Sequence, residues 1–148
     1  VCSSDLSFSA WPDPFPAPRL CANVPGQHAI QVALGGRQSI YELTGTGGRL
    51  LRQRNIAYEK LNEIPGVSAV KPMGSLYLFP RLDPNVYEIH DDAKLMLDIL
   101  KAEKILMVQG TGFNWPNPDH FRVVTLPWAS QIENAIERLG NFLVSYKQ

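Results

Sequence analysis

The sequence predicts an α+β fold: a small, mainly antiparallel sheet layered with helices. Two patterns and a composition carry that reading. Long segments repeat apolar residues at helical spacing, and shorter runs alternate or are continuously apolar, as strands do. Their coarse order is helix, helix, strand, strand, helix, strand, strand, helix, which suits helices packed on a small sheet. Apolar content of 45% and charged content of 19% over 148 residues fit one packed globule or a piece of a larger protein.

Ordered structure is expected from about Leu20. Asn23 can cap a helix with Pro25 in its first turn, where a missing N–H costs nothing. Ala29, Ile30, Ala33 and Leu34 form one apolar face, and Gly35-Gly36 ends or kinks the helix. Arg37 to Leu43 adds about two turns before Thr44-Gly-Thr-Gly-Gly48 breaks the pattern. A long helix follows from about Gly48 to Glu63, with Leu50, Leu51, Ala57, Tyr58 and Leu61 inward, and Pro65-Gly66 stops it. Val67 to Lys71 and Leu76 to Pro80 read as a strand pair joined through Pro72-Met73-Gly74.

Asp91 or Asp92 caps the next helix, which runs to about Glu103 with Leu95, Met96, Ile99 and Leu100 inward. Lys101 and Lys104 sit where the helix dipole favours cations. Ile105 to Gln109 carries almost no polar residue and reads as a central strand. Phe121 to Leu126 alternates: Phe121, Val123 and Thr125 face one way, and Arg122, Val124 and Leu126 the other. Ser130 and Glu133 have capping-box spacing and open a last helix of strict apolar period from Ile132 to Leu143.

The beginning of the chain reads differently. Pro12, Pro14, Pro16 and Pro18 stand at alternate positions and exclude a helix or central strand. Val-Cys-Ser-Ser-Asp-Leu resembles the translated end of a common sequencing adapter. Residues 1–18 are therefore expected to be an artefact or a disordered proline-rich segment, with the natural protein cut upstream.

Zero formal net charge gives no pull towards nucleic acid or an anionic membrane, and no apolar run is long enough to span a bilayer. Cys2 and Cys21 lack metal-type spacing, and His28, His90 and His120 stand on different elements, so no metal is expected; each histidine reads as a surface or capping residue. A reduced, cytoplasmic setting is the simplest assignment.

Gly110-Thr-Gly112 follows a strand but fails as a dinucleotide loop, because Trp115 takes the third glycine position and Pro116 and Pro118 block a helix start. Gly45 to Gly48 reads as a flexible break rather than an anion site, and Ser68 to Lys71 matches a serine–lysine motif by chance. Trp115 and Trp128 read as packing residues more readily than substrate contacts.

Arg122 is the one residue that demands a partner. Beside Val124 and Leu126 it is costly without an anion, either a protein carboxylate or a bound carboxylate ligand. Alone, a strand arginine is more often half of an internal ion pair. The glycine-rich loop beside it shifts the balance towards a ligand.

The segments LCANVPGQHAIQ, GGRL, IPGVSAVKPMGSLYLFP, IHDD, EKILMVQGTGF and NWPNPDHFRVVTLP cover nearly all of the chain from Arg19 to Gln148. Together they resemble the C-terminal part of class I/II aminotransferases, the fold-type I enzymes that use pyridoxal 5'-phosphate, and above all the bacterial alanine-forming (glutamate–pyruvate) branch. The resemblance implies residues 19–63 as an interdomain helical segment and residues 64–148 as the small C-terminal domain.

It also implies that Arg122 binds the substrate α-carboxylate, that Gly74 is the glycine near the substrate, and that Gly110 to Phe113 is a loop beside the site. The implied activity moves an amino group between alanine or glutamate and pyruvate or 2-oxoglutarate, in a cytoplasmic homodimer. The family's Schiff-base lysine belongs upstream of LCANVP, in a Ser-x-x-Lys segment with no counterpart here. No catalytic residue is therefore expected in this chain. The cofactor would be bound mainly by the missing N-terminal part, and the chain alone would be inactive. A C–S lyase of the same fold, or an aminotransferase-like sensor domain of a transcription regulator, are the alternatives; neither implies binding of nucleic acid or membrane by these residues.

Overall fold

Residues 24–148, apart from Arg37, are described by a computed structural model. The expectations for residues 1–18, for Cys2 and Cys21 and for the Asn23 cap lie outside these residues; of the two turns expected from Arg37 to Leu43, Gln38 and Ser39 are not helical and the helix begins only at Ile40. The chain forms two compact units, one reaching Gln38 and the other running from Ser39 to Gln148. In the first unit, helix α1 spans Val24–Gly35 with Pro25 in its first turn, as its residues predict. Its Val24, Ile30, Val32 and Leu34 side chains are exposed.

The second unit opens with the short helix α2, Ile40–Thr44, and the long helix α3, Arg49–Glu63. Between them Gly47 takes a left-handed φ of 86°, which its lack of a Cβ permits. Strand β1 (Val67–Ser68) pairs with β3 (Arg81–Leu82), and a second sheet has the order β2 (Tyr77–Leu78), β5 (Phe121–Val124), β4 (Val108–Gln109). Every strand pairing is antiparallel, and helices α4 (Asp92–Glu103) and α5 (Ala129–Ser145) complete the α+β architecture.

Three local expectations are corrected. Val67 to Lys71 and Leu76 to Pro80 do not form a hairpin. Val67 stands opposite Leu82 and Ser68 opposite Arg81, while Tyr77 and Leu78 pair with Val124 and Val123. The connection between them is loose, as its residues suggest: Ser75 sits at φ 68° and Met73 is fully exposed. The β1 edge is taken by Leu82, which buries its side chain with that of Val67.

The Ile105–Gln109 run is not central. Only Val108 and Gln109 join the ladder, at the sheet edge, and Leu106 is largely exposed. The central strand is β5, which carries Arg122. A continuous apolar run cannot by itself distinguish two covered faces from one covered face and an open edge.

Helix α5 begins before the expected box. Its N-cap is Trp128, whose N–H donates to Gln131 Oε1 at 3.1 Å; Ser130 and Glu133 are already inside the helix. At α4 the expected cap holds, with Asp91 accepting from Lys94 N–H at 2.9 Å.

One core joins α3, α4, α5 and strands β1, β2, β3 and β5. It holds Ala57 and Leu61 of α3, Leu95, Met96 and Ile99 of α4, Phe121 of β5, and Ile132, Ile136, Leu139 and Leu143 of α5. Each such fully buried aliphatic side chain stabilises the fold by about 1.5–3 kcal/mol. The α3–α5 packing is the most extensive between any two elements among the described residues. Phe121 of β5 is buried in the same core.

Candidate functional site

Arg122 lies at the middle of the sheet, opposite Val108 of β4. Phe121 turns into the core and is 1% exposed, so strand alternation turns Arg122 to the other face, where Val124 and Leu126 are partly open. The guanidinium carbon lies 4.7 Å from the Tyr77 ring centroid and 4.5 Å from that of Phe113. Two aromatic rings thus hold one cation, and the quadrupole of each ring attracts it.

Neither ring supplies a hydrogen-bond acceptor of carboxylate strength. Among the described residues no carboxylate forms an ion pair with Arg122, and its buried Nε has no hydrogen-bond partner. A buried donor left unpaired costs about 1–3 kcal/mol. The geometry is a cation held in place with its hydrogen-bonding edge unused. A planar fork of this kind matches a carboxylate bidentately.

The Phe113 side of this arrangement rests on a 3-10 turn, Thr111–Phe113. Gly110 donates to His120 O at 2.8 Å, and a Cβ at Gly110 would lie 2.7 Å from that oxygen, so a side chain there would collide with β5. Thr111 is tied to α4: its N–H and hydroxyl donate to Asp92 Oδ2 and Oδ1 at 2.9 and 2.7 Å.

A second cluster stands beside the first. Asp119 accepts from Trp115 Nε1 at 3.0 Å, from His120 Nδ1 at 2.7 Å and from Arg81 Nε at 3.2 Å. Burial pushes its carboxyl up, but the hydrogen bonds from His120, Trp115 and Arg81 outweigh burial and hold it below its ordinary value. Phe79 stacks on His120 at 5.0 Å and meets Trp115 and Phe113 edge-on. His120 is therefore not the surface residue that its isolation in sequence suggests; His28 and His90 are exposed. Trp115 packs against Phe79 and His120, whereas Trp128, read in the same way, is largely exposed, with the Arg49 guanidinium carbon 5.0 Å from its ring centroid.

Gly74 is exposed, and a Cβ there would meet nothing within 4 Å. No contact joins it to Arg122 among the described residues. Sequence reasoning places Phe113 only within the loop beside the site and Asp92 only as a possible helix cap, and it singles out neither Tyr77 nor Gln53. Alternation sets Tyr77 on the face opposite the buried Leu78, but not beside Arg122, because the pairing with β5 is not local. No spacing rule could have found Gln53, whose buried amide donates to Leu126 O at 3.2 Å and to Pro127 O.

Pyridoxal phosphate needs a lysine whose ammonium is easily discharged. Among the described residues no lysine is buried. The hydrogen bond that Lys60 Nζ donates to Glu63 holds Lys60 above its ordinary value, and those that Lys94 Nζ donates to Asp98 and then Tyr146 do the same for Lys94. Lys71 lies 5.5 Å from the Tyr58 ring centroid. The described residues do not by themselves form a site for this cofactor.

No family model matches the chain. It is 72% identical over 130 residues to the alanine aminotransferase of Mycobacterium tuberculosis, matching 88% of this chain and 30% of that protein. It is 60% identical over 130 residues to the glutamate-pyruvate aminotransferase AlaA of Escherichia coli, again over 88% of the chain and 32% of that protein. In fold it matches the crystal structure of an aminotransferase from Escherichia coli with a TM-score of 0.79 at 60% identity, covering 88% of this chain and 32% of the other. The alanine aminotransferase of Pyrococcus furiosus follows at a TM-score of 0.71 and 35% identity, with 86% of this chain and 32% of the other covered. On sequence and fold together, the chain belongs to the aminotransferase family. It spans about a third of the length of the relatives it matches.

Proposed function

We propose that this chain is the carboxylate-binding part of an aminotransferase that moves an amino group between alanine or glutamate and pyruvate or 2-oxoglutarate. Arg122 grips the α-carboxylate of the amino acid and of the 2-oxo acid. Residues 64–148 serve as the small domain and residues 19–63 as the link to a large domain. Gly74 lies beside the substrate, where absence of a side chain leaves room.

The observation that carries this reading is the unpaired, buried Arg122 Nε between the Tyr77 and Phe113 rings. An internal ion pair was the competing explanation, and no carboxylate partner for Arg122 stands among the described residues. The names of the relatives support amino transfer over C–S lysis or transcriptional sensing.

A bidentate carboxylate contact fixes two atoms of the substrate and so orients its Cα, which removes much of the rotational freedom that the reaction would otherwise have to overcome. In this reading pyridoxal phosphate and its lysine belong to parts of the full-length protein outside this chain, which is inactive alone. The exposed apolar residues of α1 support packing against such parts, in a cytoplasmic homodimer.

The test is Arg122→Ala in the natural full-length protein. KM for L-alanine and for 2-oxoglutarate should rise by about 100-fold, equivalent to a charge-assisted hydrogen-bonded pair, while the cofactor absorption stays unchanged. Unaltered KM for both substrates would remove Arg122 from the site.

A further inference from the structure

Asp92 is a buried carboxylate with no ion-pair role among the described residues. It is 4% exposed and stands in the first turn of α4. A carboxylate in that turn gains from the helix dipole without being buried, so the dipole does not explain its depth. Both of its oxygens are spent on one residue, Thr111, nineteen positions away, which donates its N–H at 2.9 Å and its hydroxyl at 2.7 Å. Burying a charge is tolerable only when it is hydrogen-bonded in this way.

Thr111 begins the turn that ends at Phe113. Phe113 N–H closes on Gly110 O at 2.9 Å, and Asn114, at φ 59°, donates to Thr111 O at 3.0 Å. A turn this short has no core of its own. It is tied to β5 by the Gly110 backbone and to α4 by Asp92. The Phe113 ring lies 4.5 Å from the Arg122 guanidinium carbon. Tyr77, on the other side of Arg122, is fixed by the sheet ladder and needs no such tie.

We propose that Asp92 is a positioning residue for carboxylate recognition: by holding Thr111 it sets the turn that places Phe113 against Arg122. The inference rests on the reading of Arg122 as the substrate-carboxylate ligand. An arginine has a long flexible stem, and a fork held ready loses less entropy when a carboxylate arrives. Removing the Asp92 tie releases Phe113, frees the guanidinium and weakens the grip on amino acid and 2-oxo acid alike.

The experiment measures kcat and KM for L-alanine and 2-oxoglutarate in the natural full-length protein carrying Asp92→Ala, Thr111→Val, Thr111→Ser, Phe113→Ala, Arg122→Ala, or Asp92→Ala with Phe113→Ala. Asp92→Ala should raise both KM values about fivefold, the weight of one cation–π contact, with kcat held within about twofold. Thr111→Val should raise them less, since the backbone N–H still reaches Asp92, and Thr111→Ser should restore the natural values. If Asp92→Ala does not fold, Thr111→Val against Thr111→Ser carries the comparison.

The double variant decides whether Asp92 acts through Phe113. Its KM values should equal those of Phe113→Ala alone. If the two effects multiply, or if Thr111→Val and Asp92→Ala both leave KM unchanged, the positioning role is overturned. If Arg122→Ala leaves KM unchanged, the underlying reading fails instead.

Discussion

Gln53 is the residue whose replacement most sharply tests how the Arg122 strand is held. It stands in the middle of α3, is wholly buried, and donates from Nε2 to the carbonyls of Leu126 and Pro127, where β5 ends and α5 begins. Its Oε1 is buried without a partner. Gln53→Ala removes a donor from two carbonyls, at about 1–3 kcal/mol each where they stay dry, and leaves a cavity. It also removes the unpaired Oε1, which offsets about one such term. The net loss expected is about 2–3 kcal/mol.

Gln53→Glu keeps the shape and inverts the electrostatics. An ionised carboxylate would face two carbonyl oxygens with no donor. The folded protein should therefore hold the introduced carboxyl protonated and raise its pKa well above the unfolded value of about 4.3. A raised acid pKa contributes stability that is present below the unfolded pKa and lost as pH rises towards the folded one, at about 1.4 kcal/mol per pH unit. Urea unfolding of the natural protein and of the Gln53→Glu variant from pH 4 to pH 7 is the assay. The two midpoints should lie close at pH 4 and separate progressively, with Gln53→Glu less stable than Gln53→Ala at pH 7. A difference that does not change with pH would refute the account of Gln53 as a dedicated donor.

Other expectations follow from the same geometry. Asp119→Asn should cost about 1–2 kcal/mol at neutral pH, because the charge that His120, Trp115 and Arg81 serve is gone. The Asp119 carboxyl is held below its ordinary value of 3.8, so its contribution is present above that value and lost as pH falls through the lower folded pKa; unfolding midpoints of the two proteins should converge in acid. Gly110→Ala should cost about 1–3 kcal/mol in urea unfolding, because the new Cβ meets His120 O at 2.7 Å and must displace the turn that bears Phe113.

Much of this architecture is legible in residue order. The period from Ile132 to Leu143 is met by the buried stripe of α5, and the alternation from Phe121 to Thr125 by the faces of β5. Both patterns record which side of one element meets the core, and that is local information. Which strand lies beside which is not local. Val67 and Leu76 stand close in sequence, yet the first meets β3 and the second supplies the carbonyl that Thr125 N–H reaches at 2.9 Å. The edge position of β4 is hidden for the same reason.

The candidate site divides in the same way. Arg122 is conspicuous as a lone cation in an alternating strand. Its ring partners and the Asp92 tie are brought to it by tertiary structure: Phe113 across a turn, Tyr77 across the ladder, and Asp92 from a helix that shares no strand pattern with them. A hydrogen bond between Asp92 and Thr111 leaves no periodic trace, since it depends on how α4 meets the turn.

The central claim is that the Arg122 fork is kept open for a carboxylate. The most direct measurement follows the Nε–H resonance of Arg122 in the natural full-length protein as 2-oxoglutarate is added, with Arg122→Lys supplying the assignment by its loss. A carboxylate engaging the Arg122 guanidinium should shift that resonance saturably, with a midpoint that matches substrate affinity. A resonance that stays fixed while 2-oxoglutarate binds would contradict the claim.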